Sequence, residues 1–170
     1  MSKITVLLDR DGVINKDIGH LDSIKKIKFL KGVFQAFRFL KKKKIKVIII
    51  TNQSVVGRGI ISSRKLKLIH NYINNCLKKK GGQIEKFYFC PFHPKYGKGY
   101  YKKKSLDRKP NPGMILKAKK KYNLDHKNCF MIGDNLTDQL AAKRAKVNFF
   151  FKKDQSLFTQ IKSILKIYEI

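Results

Sequence analysis

The stretch Ile4-Thr5-Val6-Leu7-Leu8-Asp9-Arg10-Asp11-Gly12 decides how the rest of the chain is read. Its five leading residues are apolar or β-branched, and so short a run predicts a strand buried on both faces. The run stops on two carboxylates spaced two apart. In an extended chain residues i and i+2 share a side, so Asp9 and Asp11 face one place. Carboxylates held that close repel, and a cation or a shared proton relieves the repulsion. Gly12 allows a turn that a side chain would obstruct.

The same grammar recurs along the chain. Residues 45–50 form a second apolar run, ending at Thr51-Asn52-Gln53. Residues 84–90 read as a third strand, 128–132 as a fourth ending at Gly133-Asp134, and 147–151 as a fifth. Helical spacing fills the gaps. Val33, Phe34, Phe37 and Leu40 mark a helix over 32–44. Ser62 or Ser63 caps the next, with Leu66, Ile69, Ile73 and Leu77 on one face, and Gly81-Gly82 stops it. Further helices are expected over 112–122, 136–145 and 155–168. Strands alternating with helices predict an α/β fold, a parallel sheet of about five strands with helices on both faces. No linker or repeat divides the chain, so 1–170 is read as one domain without a large cap domain. Residues 91–111, with three prolines and no clear periodicity, form a long loop of the kind that usually carries function.

Composition sets the outer limits. Lysine and arginine number 40 against 11 acids, a net charge of +29. The excess is nearly all lysine, in short runs at 41–44, 78–80, 102–104 and 119–121, three of them at or near helix ends where cations favour the dipole. A solvated lysine surface is therefore expected, with no specific nucleic-acid partner. No apolar stretch approaches the ~20 residues of a membrane span, and Asp9 comes too early for a secretion signal. A cytoplasmic monomer without a membrane partner is expected, with Cys76, Cys90 and Cys129 reduced. His70 is assigned to a helix surface and His126 to a turn, while Phe34, Phe37, Phe87 and Phe89 are assigned to the core.

With so few acids, their positions matter. Asp9 and Asp11 follow the first strand; Asp134 and Asp138 follow the fourth and are neighbours at i, i+4. In a parallel sheet ligands bind beyond the carboxyl ends of the strands, where these residues sit. An oxygen-rich site with open positions suits Mg²⁺. Thr51 and Asn52 add a hydroxyl and an amide, Lys109 an ammonium, and Gly57-Arg58-Gly59 a cation in a turn. Cations, amides and Mg²⁺ around a nucleophilic carboxylate describe phosphoryl transfer.

Asp9-Arg10-Asp11-Gly12-Val13-Ile14-Asn15 resembles the first motif of haloacid-dehalogenase-type (HAD-like) phosphatases. Thr51-Asn52-Gln53-Ser54 with Gly57-Arg58-Gly59, Arg108-Lys109-Pro110 with Pro112-Gly113-Met114, and Met131-Ile132-Gly133-Asp134 with Asp138 and Ala141-Ala142 resemble the remaining motifs. Together they are similar to the subgroup of heptose bisphosphate and histidinol-phosphate phosphatases. The resemblance implies a Rossmann-like domain in which Asp9 attacks phosphorus and Asp11 serves as general acid and base. It implies that Thr51 and Lys109 hold the phosphoryl oxygens. Asn52, Arg58 and Arg108 orient the substrate, and Asp9, the carbonyl of Asp11 and Asp134 bind Mg²⁺. Asp138 is implied only to position Asp134 or Lys109.

The chain departs from the subgroup in its zinc loop. Cys90 stands at a matching ligand position, but Phe92, Ser105 and Asp107 replace the other three. Three mixed ligands at Cys90, His93 and Asp107 make a poor structural zinc site, so no zinc is expected. Phe92, Tyr100, Tyr101 and the prolines are expected to hold the loop, which would close over the substrate. Asn135 stands where the family often has lysine. The expected activity is Mg²⁺-dependent removal of the 7-phosphate from D-glycero-D-manno-heptose 1,7-bisphosphate, a small phosphosugar of lipopolysaccharide heptose synthesis. The rivals are a histidinol-phosphate phosphatase, a nucleic-acid end phosphatase, and a basic binding module on an inactive fold. Retention of Asp9, Asp11, Lys109 and Asp134 argues against the last.

Overall fold

The computed structural model describes residues 4–169. The apolar runs become five parallel strands: β1 (Thr5–Leu8), β2 (Lys46–Asn52), β3 (Lys86–Cys90), β4 (Cys129–Gly133) and β5 (Asn148–Phe151). Their order in the sheet is β3-β2-β1-β4-β5. Six helices accompany them: α1 (Val33–Lys42), α2 (Ser54–Gly57), α3 (Ser63–Lys79), α4 (Gly113–Tyr122), α5 (Leu136–Arg144) and α6 (Leu157–Ile167).

Alternation along the central strands makes two cores. Val6, Leu8, Val47, Ile49, Phe130 and Ile132 pack against α1, α3 and α6. Leu7, Ile48, Ile50 and Met131 face the other way, against Met114, Ile115 and Ala118 of α4 and Ala141 and Ala142 of α5. Every residue of β1 is buried, as its unbroken apolar run requires. Each such Leu or Ile contributes about 1.5–3 kcal/mol by leaving water. The small residues of α5 let it lie close on the sheet beside β4.

The chain lays β2 and β3 on one side of β1, then returns to place β4 on the other. Leu8 pairs in register with Ile49 and with Ile132. The crevice at the carboxyl ends of β1 and β4 is therefore a topological switch point, and Asp9 and Asp134 follow those two strand ends directly. Among the described residues, no helix is long and apolar enough to cross a membrane.

Several expectations are corrected. β2 runs on to Asn52, and β3 begins only at Lys86. Residues 54–57, to which the sequence reading gave no element, wind into the single turn of α2, and the expected turn at Gly57-Arg58-Gly59 follows it. His70, assigned to a helix surface, is buried on α3. Phe89 is exposed, because β3 is an edge strand with no neighbour beyond it. Phe37 alone of the four assigned phenylalanines is fully buried; Phe34 and Phe87 pack at the core's margin.

The loop over 91–111 is held by its aromatics, as expected. Phe92 lies 5.7 Å from Tyr100 and 5.8 Å from Tyr101, centroid to centroid. The Lys98 N–H donates to the Gly57 carbonyl at 2.8 Å, which docks the loop on α2. A Cβ on Gly57 would stand 2.2 Å from the Pro91 carbonyl oxygen, so only glycine permits that approach.

Candidate active site

A cavity of about 310 Å³ opens at the switch point, lined by Asp9, Asp11, Thr51, Asn52, Arg108, Lys109, Asp134 and Asp138, with Asp17, Gly19, Asn135 and Thr137 also at its walls. Lys109 sits at its centre and is 3% exposed. Its Nζ lies 2.9 Å from Asp9 Oδ1 and 2.6 Å from Asp138 Oδ1, and it donates to the Ile50 carbonyl at 2.8 Å. Burial disfavours an ammonium, but Asp9 and then Asp138 outweigh it, and the Lys109 pKa rises. The charge is thus fixed at the place where β2 ends.

Asn52 explains how a residue from a distant loop arrives there. Its amide donates to the Lys109 carbonyl and accepts from the Lys109 N–H, each at 3.0 Å. Asn52 therefore acts on the Lys109 main chain, whereas sequence suggested an orienting contact with substrate. Asp138 is placed by a capping box at the start of α5: Asn135 Oδ1 accepts from the Thr137 N–H, and Asp138 Oδ2 accepts from the Asn135 N–H. Gly133 makes room for it, since a Cβ there would meet Asp138 Oδ2 at 2.4 Å.

Asp9, Asp134 and Asp138 each offer a carboxylate oxygen, all within 4.8 Å of one another. Burial raises the Asp9 pKa to about 7, against the lowering pull of Lys109, with Asp138 and Asp11 adding to the rise. Asp134, at the cavity mouth, is also raised, by partial desolvation and then by Asp138 and Asp17. Carboxylates so crowded are suited to a divalent cation, and three oxygens with open positions fit Mg²⁺. Gly12 shapes the same place: a Cβ on it would stand 1.9 Å from Asp134 Oδ2.

Asp11 is held on the other wall. Arg10 forks onto it, with Nη2 at 2.9 and 2.8 Å from its two oxygens and Nε at 3.1 Å from Oδ1. Asn15 Nδ2 donates to Oδ1 at 2.8 Å, and Gln53 Nε2 to Oδ2 at 2.9 Å. Gln53 also donates to Thr51 Oγ1 at 2.9 Å, tying the two strand ends together. Sequence reasoning missed Arg10, Asn15 and Gln53 as participants. For Gln53 the signal was its i+2 spacing from Thr51 on an extended segment.

Arg108 lines the cavity and donates to the Phe92 carbonyl at 3.1 Å. Of the long loop only Arg108 and Lys109 line the cavity; Lys98 docks on α2, Asp107 pairs with Lys117 of α4, and Arg144 of α5 donates to the Pro110 carbonyl. Arg58 stacks at 4.5 Å over Tyr96 and donates to Ser54 Oγ at 3.3 Å, outside the cavity lining. Near Cys90, Asp107 pairs with Lys117, and His93 Nδ1 accepts from the Lys95 and Tyr96 N–H groups at 3.1 and 3.0 Å. His93 is thus engaged within the loop and Asp107 by α4. A wider cavity of about 550 Å³ lies between α3 and β3, walled by Phe87, Phe89 and His70 among others, with Glu85 as its one acidic side chain.

A nucleophilic carboxylate, an ammonium against it, and further carboxylates able to hold a cation can together move a phosphoryl group. Comparison with known proteins agrees. The sequence model of the haloacid dehalogenase-like hydrolases matches residues 5–146, and the chain belongs to that family. A D-glycero-beta-D-manno-heptose-1,7-bisphosphate 7-phosphatase of Photorhabdus laumondii is 39% identical over 142 residues, 84% of this chain and 76% of the relative. The D-glycero-alpha-D-manno-heptose-1,7-bisphosphate 7-phosphatase of Burkholderia mallei is also 39% identical, over 86% of this chain and 78% of the relative. In structure, the D,D-heptose 1,7-bisphosphate phosphatase of B. bronchiseptica, complexed with magnesium and phosphate, superposes with a TM-score of 0.82. It is 26% identical, covering 96% of this chain and 99% of that one.

Proposed function

We propose that the chain is a Mg²⁺-dependent phosphomonoesterase that removes the 7-phosphate of D-glycero-D-manno-heptose 1,7-bisphosphate. The observation that carries the chemistry is the ammonium of Lys109 set 2.9 Å from Asp9, within a cluster of three carboxylates at the switch point. The substrate follows the relatives, which share 39% of their aligned residues with this chain and bear the name of that reaction.

In this reading Asp9 attacks the phosphorus in line with the sugar oxygen. The P–O bond to the sugar breaks, Asp11 gives that oxygen a proton, and an aspartyl-phosphate is left on Asp9. Asp11, now a carboxylate, takes a proton from water; the water oxygen attacks phosphorus, phosphate leaves and Asp9 is restored. Thr51 and Lys109 bind the phosphoryl oxygens, and Arg108 meets the rest of the anionic substrate. Asp9, the Asp11 carbonyl and Asp134 would hold Mg²⁺, which would supply charge neutralisation at the phosphoryl oxygens. Asp138 holds Lys109 in place. The enzyme works as a single-domain cytoplasmic monomer with no nucleic-acid or membrane partner, which light scattering and retention at low salt on phosphorylated DNA would check.

The test is phosphate release from both anomers of heptose 1,7-bisphosphate, histidinol phosphate, fructose 1,6-bisphosphate and a phosphorylated oligonucleotide, with Mg²⁺ and with chelator. Selective, chelator-sensitive turnover of a heptose bisphosphate is expected. Preference for another member would overturn the substrate, and chelator-resistant turnover the metal.

A further inference from the structure

Behind Asp11, away from the cavity, lies a buried line of contacts that the proposed mechanism does not use. Arg10 is 1% exposed. Its Nε and Nη2 are spent on Asp11, and its Nη1 lies 3.2 Å from His70 Nε2, sixty residues away on α3. A guanidinium only donates, so His70 Nε2 accepts and the ring proton sits on Nδ1. Burial, and then the Arg10 charge, keep His70 neutral by depressing its pKa to about 3. The ring plane is fixed by stacking on Phe87, 4.2 Å away and 9° from parallel. A long arginine has many rotamers, and a buried N–H without a partner is costly. A neutral, clamped acceptor at this point selects the one rotamer whose fork meets Asp11.

We infer that His70 is a positioning residue for this reaction: it anchors Arg10, whose forked contact sets the orientation of the Asp11 carboxylate for proton transfer. The inference rests on the reading of Asp11 as general acid and base, so both are tested side by side. With heptose bisphosphate, His70→Leu lowers kcat about tenfold at little change in KM, a part of the ~10²–10⁴-fold that acid–base catalysis contributes in full. His70→Gln, which keeps an acceptor, restores most of the rate.

The decisive readout uses p-nitrophenyl phosphate, whose leaving group needs no acid, in the Asp11→Asn background. There the first turnover releases one nitrophenolate per enzyme and then stalls, and adding His70→Leu leaves that burst rate unchanged. A burst slowed as much as kcat would mean that His70 acts on the whole site, and would overturn the inference alone. A wild-type kcat in His70→Leu, or an undiminished loss in His70→Gln, would do the same. Sustained turnover by Asp11→Asn would instead overturn the role of Asp11, and the inference with it. Should His70→Leu not fold, Arg10→Lys removes the fork and keeps the charge; the same loss, absent from the burst, is expected.

Discussion

Replacing Gly12 by alanine separates two jobs that this residue does. Its φ is +78°, where a side chain costs about 1–2 kcal/mol. Its added Cβ would lie 1.9 Å from Asp134 Oδ2 and 2.5 Å from Asp134 Cγ, while ordinary contact begins near 3.4 Å. The carboxylate must then retreat by about 1.5 Å, several times the ~0.2 Å tolerance of a metal–ligand distance. Gly12→Ala should lose about 1–2 kcal/mol in urea unfolding. The Mg²⁺ concentration for half-maximal phosphatase activity should also rise by at least about tenfold, the lower end for disturbing a metal site. Gly81→Ala is the control: φ is +81°, but the nearest atom to its Cβ would be Arg38 Cγ at 3.5 Å. It should show the stability loss and keep the wild-type Mg²⁺ dependence. If Gly12→Ala lost stability alone, with Mg²⁺ dependence unmoved, Asp134 would not be a ligand in the way proposed.

Three other outcomes are expected. Asp9→Asn should abolish steady-state turnover while circular dichroism stays native, since it removes the nucleophile and almost no volume; substantial residual turnover would refute the covalent route. Lys109→Ala should lower kcat by about 10²–10³-fold. It should also destabilise the fold by about 3–5 kcal/mol in urea, because Asp9 and Asp138 are left buried against each other, and Mg²⁺ should recover part of that loss. His70, with a folded pKa near 3 against 6.5 unfolded, binds its proton first in the unfolded chain. Its contribution is therefore complete above pH 6.5 and falls as pH drops toward 3. By pH 4.5 the loss amounts to about 3 kcal/mol, read as the wild-type loss minus that of His70→Gln across urea titrations.

The three central strands were legible because burial on both faces leaves unbroken apolar runs, and Asp9, Thr51 and Asp134 follow those runs directly. What the sequence hid lies in contacts across large separations. Nothing local says that the Asn52 amide is taken up by the Lys109 main chain, 57 residues on. Arg58 looked like a substrate contact because it is a cation between glycines, yet Tyr96 and Ser54 hold it outside the cavity. His70 was legible in principle. It stands four residues after Leu66 and three before Ile73, on the stripe that α3 buries, and its polarity obscured that spacing. Phe89 failed for the opposite reason: the residue type suits a core, but only the sheet order reveals that β3 is an edge.

The charge arrangement explains why a chain of +29 keeps its scarce acids where they are. Among the described residues Lys109 is the cation paired directly with this cluster, through Asp9 and Asp138, so three ionised carboxylates outnumber it. Burial first, and the neighbouring carboxylates after it, raise the pKa values of Asp9 and Asp134. Asp11 adds a smaller push on Asp9 than Asp138 does, and Arg10 pairs with it outside the cluster. A phosphate dianion brought to so negative a centre would be repelled, whatever the lysine surface does to attract it from a distance. A divalent cation held by these carboxylates would cancel the excess and favour an ionised Asp9. On the function proposed above, removing Mg²⁺ would therefore weaken substrate binding as well as turnover, and a chelator that raises KM together with lowering kcat is the expected result.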